Sequence, residues 1–404
     1  MKSKMRRLLL AIAVLGSCSV FAKELADGVP CIDFAGQGIP VKRLNGMCNT
    51  IPMKGNVKPA RTNLLTQQIR ALEIPETRFH DVVADNAGIQ LVDVSRIFPL
   101  FRADENDPLN YDFRPTDLYL ARARELGGEL EFRFGEQIEH QAEQFQVRPP
   151  ADIGKWARIC VNIARHYNDG WANGFRWNIR YWEIWNEPDL DADGKWKTNP
   201  RTWGGSQESF YEFYATVATH LKKRFPQLKI GGPGFASSPD TADDWGGKFL
   251  RAMKGRDVPI DFFSWHRYVT DPEAAVHCAR TWRRILDTCG YPETESILDE
   301  WNYVEGWADD YQRSVDRMHG LKGAVFTASV MAACQNAPVA PVAVTFSVRP
   351  FAVNWTESPT TTALARVVKP QMTVSPAPTF TLSAISKQPG LNRAWRFHSF
   401  RTGA

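Results

Sequence analysis

The sequence predicts an α/β chain folded as a (β/α)8 TIM barrel with an atypical C-terminal segment. Three observations carry that prediction. Short apolar runs alternate with helical stretches, giving eight candidate strands between residues 44 and 348. Such alternation calls for parallel strands joined by helical crossovers. The glycine-rich dinucleotide fingerprint of an open doubly wound sheet is missing, because Gly231-Gly232-Pro233-Gly234 follows a strand without G-x-G-x-x-G spacing. Acids and histidines also stand at the ends of several strands, where a barrel of this kind keeps its reactive groups.

Taken in order, residues 44–49 read as the first strand and 61–72 as a helix with apolar residues at Leu64, Leu65, Ile69 and Leu72. Residues 77–80 form a short strand running into Arg-Phe-His-Asp. A helix over 115–126, a strand over 129–134 and an amphipathic helix over 153–167 follow. Then come strand 179–185, helix 209–225, strand 228–232 and helix 245–253. Strand 261–265, helix 272–289, strand 296–300, one long helix over 311–334 and a last strand over 341–348 complete the series. The barrel is thus expected over residues 40–348.

The ends of the chain differ from this middle. Lys2, Lys4, Arg6 and Arg7 precede an apolar run from Leu8 to Leu15, and Val20-Phe21-Ala22 suits cleavage, so residues 1–22 read as a secretory signal. A secreted or periplasmic protein is expected. Leu15-Gly16-Ser17-Cys18 also fits a lipoprotein signal with Cys18 as the anchor. No other run of 18 apolar residues exists, so no transmembrane span is predicted. From Ala337 onward there is one acid, Glu357, against eight prolines. A disordered tail over 349–404 and a change of reading frame near Ala337 both fit that composition; the second would make the last strand non-native.

Formal charge is +4 with no basic run of five, which excludes nucleic acid as an implied partner. None of the seven cysteines has zinc-like spacing, and no H-E-x-x-H appears, so neither a metal nor a cofactor is expected. Export permits disulfides, and Cys31 with Cys48 is the most plausible pair. Cys278 and Cys289, on one helix, would stand about 16 Å apart and cannot bridge. Of 14 tryptophans, 12 lie between Trp156 and Trp307; flat aromatic faces suit a core and also suit sugar rings.

The chemistry concentrates at three strand ends: Asn186-Glu187-Pro188, Trp265-His266-Arg267-Tyr268 and Asp299-Glu300-Trp301-Asn302. Two glutamates on different strands can face one another across the barrel mouth. That pair is what glycosidic cleavage needs, one carboxyl to protonate the leaving oxygen and one to attack the anomeric carbon or activate water. Asn186 can bind a hydroxyl beside the reacting carbon, His266 and Tyr268 can orient a nucleophilic carboxylate, and Trp265 and Trp301 offer stacking faces. Each residue has a plainer reading: Glu300 as half an ion pair, His266 as a core histidine. Asp299 competes with Glu300, but alternation along a strand lets only one face the site. Arg78 and His80 close the second strand. For Arg78, pairing with Glu183 inside the barrel and contact with a sugar stand side by side. Asp240, Asp243 and Asp244 read as a solvated loop rather than a cation site.

The strings TRFHD (77–81), YWEIWNEPD (181–189), IGGPGFA (230–236), DFFSWHRY (261–268) and ILDEWNY (297–303) together resemble glycoside hydrolase family 39, which includes β-xylosidases and α-L-iduronidases. The resemblance spans about residues 60–335 and implies a retaining glycosidase that cleaves an oligosaccharide or polysaccharide by double displacement. It implies Glu187 as acid/base and Glu300 as nucleophile. It further implies substrate contacts from Asn186, His266, Tyr268, His80 and Trp301. The alternatives are a non-catalytic carbohydrate-binding barrel and a glycosidase of another family in the same clan. Loops 101–112 and 191–206 are expected to shape specificity.

Overall fold

The computed structural model describes residues 41–49, 69–80, 90–139, 144–192, 194–239, 241–308 and 310–339, with the backbone of 82–83 and 344–347. The expected signal segment, Cys18, Cys31, the helix over 61–68 and the tail over 349–404 lie outside the described residues.

Eight parallel strands close into a barrel. They are β1 (Gly46–Cys48), β2 (Glu76–Phe79), β3 (Glu129–Phe134), β4 (Tyr181–Ile184), β5 (Lys229–Gly231), β6 (Phe262–Val269), β7 (Glu295–Tyr303) and β8 (Val344–Ser347). Each pairs with its neighbour in sequence, and β8 pairs with both β7 and β1. β6 and β7 run past the expected strands, which puts His266 and Tyr268 on a strand rather than on a loop.

The helices are α1 (Arg114–Leu126), α2 (Ile153–Asn168), α3 (Gln207–Arg224), α4 (Trp245–Gly255), α5 (Pro272–Thr288), α6 (Tyr311–Met318) and α7 (Leu321–Cys334). The starts of α2, α3 and α5 follow from capping chemistry. Asp152 accepts the Lys155 N–H, Ser206 the Ser209 N–H and Asp271 the Glu273 N–H, each meeting an orphan donor of the first turn. The single long helix expected over 311–334 is two. Gly320 is extended and breaks it, and Gly323 packs so close to the Met318 backbone that a Cβ would sit 2.2 Å from the Met318 carbonyl.

Alternation sorts each strand. Outward, Phe79, Phe132, Phe134, Trp182, Ile184, Phe263, Trp265 and Trp301 join one continuous apolar core beneath the helices. Inward, Tyr181, Phe262 and Ile297 form a separate small apolar layer. Above that layer the barrel interior is charged: Arg78, Glu131, Arg133, Glu183 and Asp299 are all buried. Burying charge is costly unless it is paired, so these residues demand partners.

The described cysteines Cys48, Cys160, Cys278, Cys289 and Cys334 are free and buried. Cys48, expected to join Cys31, is a thiol lying 3.9 Å from the Arg78 guanidinium.

Candidate active site

β4 delivers Glu187 through an unusual turn. Trp185 and Glu187 both take left-handed backbone, at φ 75 and 48, a conformation disfavoured for residues with side chains and held only when the surroundings over-determine it. Here the Trp185 N–H donates to the Phe134 carbonyl at 2.7 Å, and the Glu187 N–H to the Pro233 and Gly234 carbonyls at 3.1 and 3.0 Å. Thr202 Oγ1 donates to the Glu187 carbonyl at 2.6 Å. Asp191 in turn holds this return segment, accepting from the N–H groups of Arg201, Thr202 and Trp203. Loop 191–206 therefore fixes the acid as well as bordering the site.

Opposite, β7 presents Glu300. Tyr268 donates its hydroxyl to Glu300 Oε2 at 2.5 Å, and Arg78 Nη1 donates to Oε1 at 3.2 Å. His80 Nε2 stands 3.6 Å from the same Oε1. His266 lies between the two glutamates, with Nδ1 2.7 Å from Glu187 Oε1 and 3.5 Å from Glu300 Oε2. One oxygen of Glu187 and one of Glu300 come within 4.8 Å of each other.

Beneath them Arg78 is a hub. Its Nε meets Glu183 Oε2 at 2.7 Å and Asp299 Oδ2 at 3.0 Å, and its Nη2 donates to Asn186 Oδ1 at 2.8 Å. Of the two sequence readings of Arg78, the pairing with Glu183 is the one found. Ser264 completes Glu183 with a 2.6 Å donation to Oε1. Gly234 passes so near that a Cβ would stand 2.9 Å from His266 Nε2 and 3.2 Å from Glu183 Oε1, and its φ of +65 favours glycine as well.

The electrostatics divide the carboxylates. Burial raises Glu187 above the usual glutamate range; His266 opposes this, and the charges of Glu300 and Asp189 add to it. Burial by itself would lower His266, but Glu300 and Glu187 raise it. Glu183 is held low against its burial by Arg78 and by hydrogen bonds from Asp299, Arg78 and Ser264. Burial, opposed by Arg78 and reinforced by the charge of Glu183, raises Asp299 well above the usual aspartate range.

Several sequence expectations change here. Asp299 and Glu300 both point inward, because the β6–β7 register shifts between Trp265 and His266: Trp265 pairs with Leu298 and His266 with Glu300. A bulge of this kind inserts an extra residue and breaks the alternation that would have turned Asp299 outward. Trp301 and Trp265 offer no face to a substrate. Trp301 is 1 % exposed and packs on Phe326 of α7, and Trp265 is fully buried with its indole N–H on Ser296. His266 is buried as well, with its Nδ1 on Glu187. Asn186 and His80 remain beside the carboxylates, and the Asn186 Nδ2 is buried with no protein partner. Glu136 lies apart, tying down Ser95. Asp243 pairs with Arg251 at 3.1 Å, and Asp240 lies outside the described residues.

Among the described residues two groups have spacing that can hold a cation: Glu187, His266 and Glu300, and Glu131, Glu183 and Asp299. Arg78 already touches Glu300, Glu183 and Asp299, so a guanidinium supplies the positive charge that a metal would bring.

The family model described as "Glycosyl hydrolases family 39" matches residues 55–334, most of the chain. This chain belongs to glycosyl hydrolase family 39. Among curated relatives, a β-xylosidase of Geobacillus stearothermophilus is 28% identical over 176 residues, 39% of this chain and 32% of that protein. An α-L-iduronidase of Homo sapiens is 25% identical over 224 residues, 50% of this chain and 32% of that protein. The chain thus matches about a third of the length of these two curated relatives. Among solved structures, a glucosidase from Croceicoccus marinus superposes with a TM-score of 0.63 at 25% identity, covering 81% of this chain and 67% of that one.

Proposed function

We propose that the chain is a retaining glycosidase of the β-xylosidase type, acting on neutral sugars. The observation that carries this reading is the approach of the Glu187 and Glu300 oxygens to within 4.8 Å. Retaining enzymes hold their carboxyl groups about 5–5.5 Å apart, and inverting enzymes leave a wider gap for a water. The environments support the division of labour. Glu187 is raised by burial, which suits an acid that must hold a proton. Glu300 accepts from Tyr268 and Arg78, which suits an ionised nucleophile.

In the first step a Glu300 oxygen bonds to the anomeric carbon as the glycosidic C–O bond breaks, and Glu187 gives its proton to the leaving oxygen. In the second, Glu187 takes a proton from water, and the resulting oxygen displaces Glu300 with a second inversion. The unpartnered Asn186 Nδ2 is available to a hydroxyl beside the reacting carbon. A neutral sugar is favoured over a uronide. Arg78 is already engaged with Glu183, Asp299, Glu300 and Asn186. A uronate would add negative charge beside Glu300, and the open donor there, Asn186 Nδ2, is a neutral amide.

The test is hydrolysis of aryl β-xylosides, β-glucosides and β-galactosides and an aryl α-iduronide. Azide should rescue Glu300→Ala with an inverted glycosyl azide and Glu187→Ala with a retained one. A folded protein inert on every glycoside would reject the reading in favour of a binding barrel. Export is part of the proposal, resting on the basic and apolar N-terminal run. Cell fractionation tests it, and a protein confined to the cytosol would reject it.

A further inference from the structure

The tryptophans of this chain are mostly hidden. Trp182, Trp203, Trp265, Trp282 and Trp301 are each less than 2 % exposed. Trp307 breaks the pattern at 54% exposed, on the segment that follows the strand bearing Glu300. A half-exposed indole keeps apolar surface that a ligand can still cover.

Its surroundings hold it in one attitude. Tyr311, at the start of α6, stacks on the indole with ring centroids 5.5 Å apart and planes inclined by 18°. Tyr268 meets the indole edge-on at 4.9 Å and 82°. The same Tyr268 hydroxyl donates to Glu300 Oε2. The indole is therefore one phenol ring removed from the carboxylate assigned as nucleophile. The segment is pinned two residues before it. Glu305 pairs with Arg313 at 2.7 Å, with Arg317 and with Lys322 at 3.6 Å, and its N–H donates to Ser314 Oγ at 2.9 Å. A flat, half-exposed ring on an anchored segment is pre-organised for stacking, and little ordering is left for a ligand to impose.

We infer that Trp307, backed by Tyr311, is the stacking platform for the apolar face of a pyranose ring of the substrate. It takes the role that sequence alone gave to Trp301. The inference rests on the glycosidase reading and adds a specificity-determining residue to it.

The test compares wild type, Trp307→Ala and Trp307→Phe on two substrates of whichever sugar the aryl-glycoside panel identifies: its glycosyl fluoride, with no aglycone ring, and its β-linked disaccharide. Trp307→Ala should raise KM about three- to tenfold, more than it lowers kcat, and Trp307→Phe should recover most of the loss. A defect on both substrates assigns the glycone ring, and a defect on the disaccharide alone assigns the aglycone ring. Unchanged KM on both overturns the inference, as does a defect that Phe does not relieve and that tracks a fall in melting temperature. Calorimetric titration of Glu300→Gln with xylobiose and cellobiose separates failure of the platform from failure of catalysis. Binding that is weakened by adding Trp307→Ala supports the platform even in a chain that turns nothing over. Binding indifferent to Trp307, or absent for both sugars, overturns it.

Discussion

Arg78→Lys tests the charged floor most directly, because it keeps the charge and removes the geometry. The guanidinium spans four partners: Glu183 Oε2 at 2.7 Å, Asn186 Oδ1 at 2.8 Å, Asp299 Oδ2 at 3.0 Å and Glu300 Oε1 at 3.2 Å. An ammonium offers three donors from one point on a shorter reach. It can stay with Glu183 and Asp299, which share the Nε side, or move toward Asn186 and Glu300, but it cannot serve both ends. Two contacts are lost, and a hydrogen bond to a charged group is worth about 1.5–3 kcal/mol, so the cost is about 3–6 kcal/mol. That agrees with the roughly 3–5 kcal/mol for breaking a buried ion pair. In a chain of this size such a loss lowers the melting temperature by about 4–9 °C. If the ammonium stays with Glu183 and Asp299, Glu300 loses the Arg78 donor, and about 2.7 kcal/mol of lost positioning is a roughly hundredfold fall in kcat/KM. Scanning calorimetry and steady-state kinetics at one pH read both numbers. A variant that melts within about 2 °C of wild type and keeps kcat/KM within about threefold would refute the view that the fork geometry, rather than the charge, holds the site.

Other consequences follow from the same contacts. Tyr268→Phe removes the phenol donor to Glu300 and keeps the ring, so kcat/KM should fall about 10- to 150-fold with little change in melting temperature; a fall confined to KM would contradict the proposed role of Glu300 as nucleophile. Glu187 must be protonated to act as acid, and burial raises it, so activity should persist above the pH at which an ordinary glutamate ionises and be lost as pH rises through its folded value. Glu187→Gln assayed with a dinitrophenyl glycoside, whose leaving group needs no proton, should lack that alkaline limb, and a limb that survives assigns it elsewhere. Burial, followed by the charge of Glu183, pushes Glu131 up to about 8. Between its unfolded value and about pH 8 the folded chain holds a proton that the unfolded chain has released, so this group costs stability as pH rises through that window. Glu131→Gln should therefore melt higher than wild type at pH 8 and gain little at pH 5; equal gains at both would show that Glu131 is not the titrating group.

The barrel and both glutamates were legible because they rest on local signals. Strand β3 is bounded as the sequence predicts, since alternation and Gly127-Gly128 mark it without ambiguity. The W-N-E-P string locates Glu187 because a buried strand has no other reason to end in an amide, a carboxylate and a proline. The readings that failed depend on register and on neighbours far away in sequence. Asp299 faces inward only because β6 and β7 slip by one residue, and no pattern within either strand encodes that slip. Trp301 and Trp307 are the same residue six positions apart. The pleat buries the first against α7, and the chain's departure from β7 leaves the second in water.

The sequence by itself determined the order of the elements and the closed parallel sheet, and it singled out Glu187 and Glu300 as the candidate pair. Hydrophobic period, capping residues and strand-end chemistry are properties of short stretches of chain. Only the tertiary structure decided that Arg78 serves Glu183, Asp299 and Glu300 together, that His266 attends Glu187 more closely than Glu300, and which tryptophan is open to solvent. Those outcomes join β2, β4, β6 and β7 in one low-dielectric interior, where every buried charge must find a partner. The partner is whichever group the closed barrel brings within reach, and separation along the chain does not reveal it.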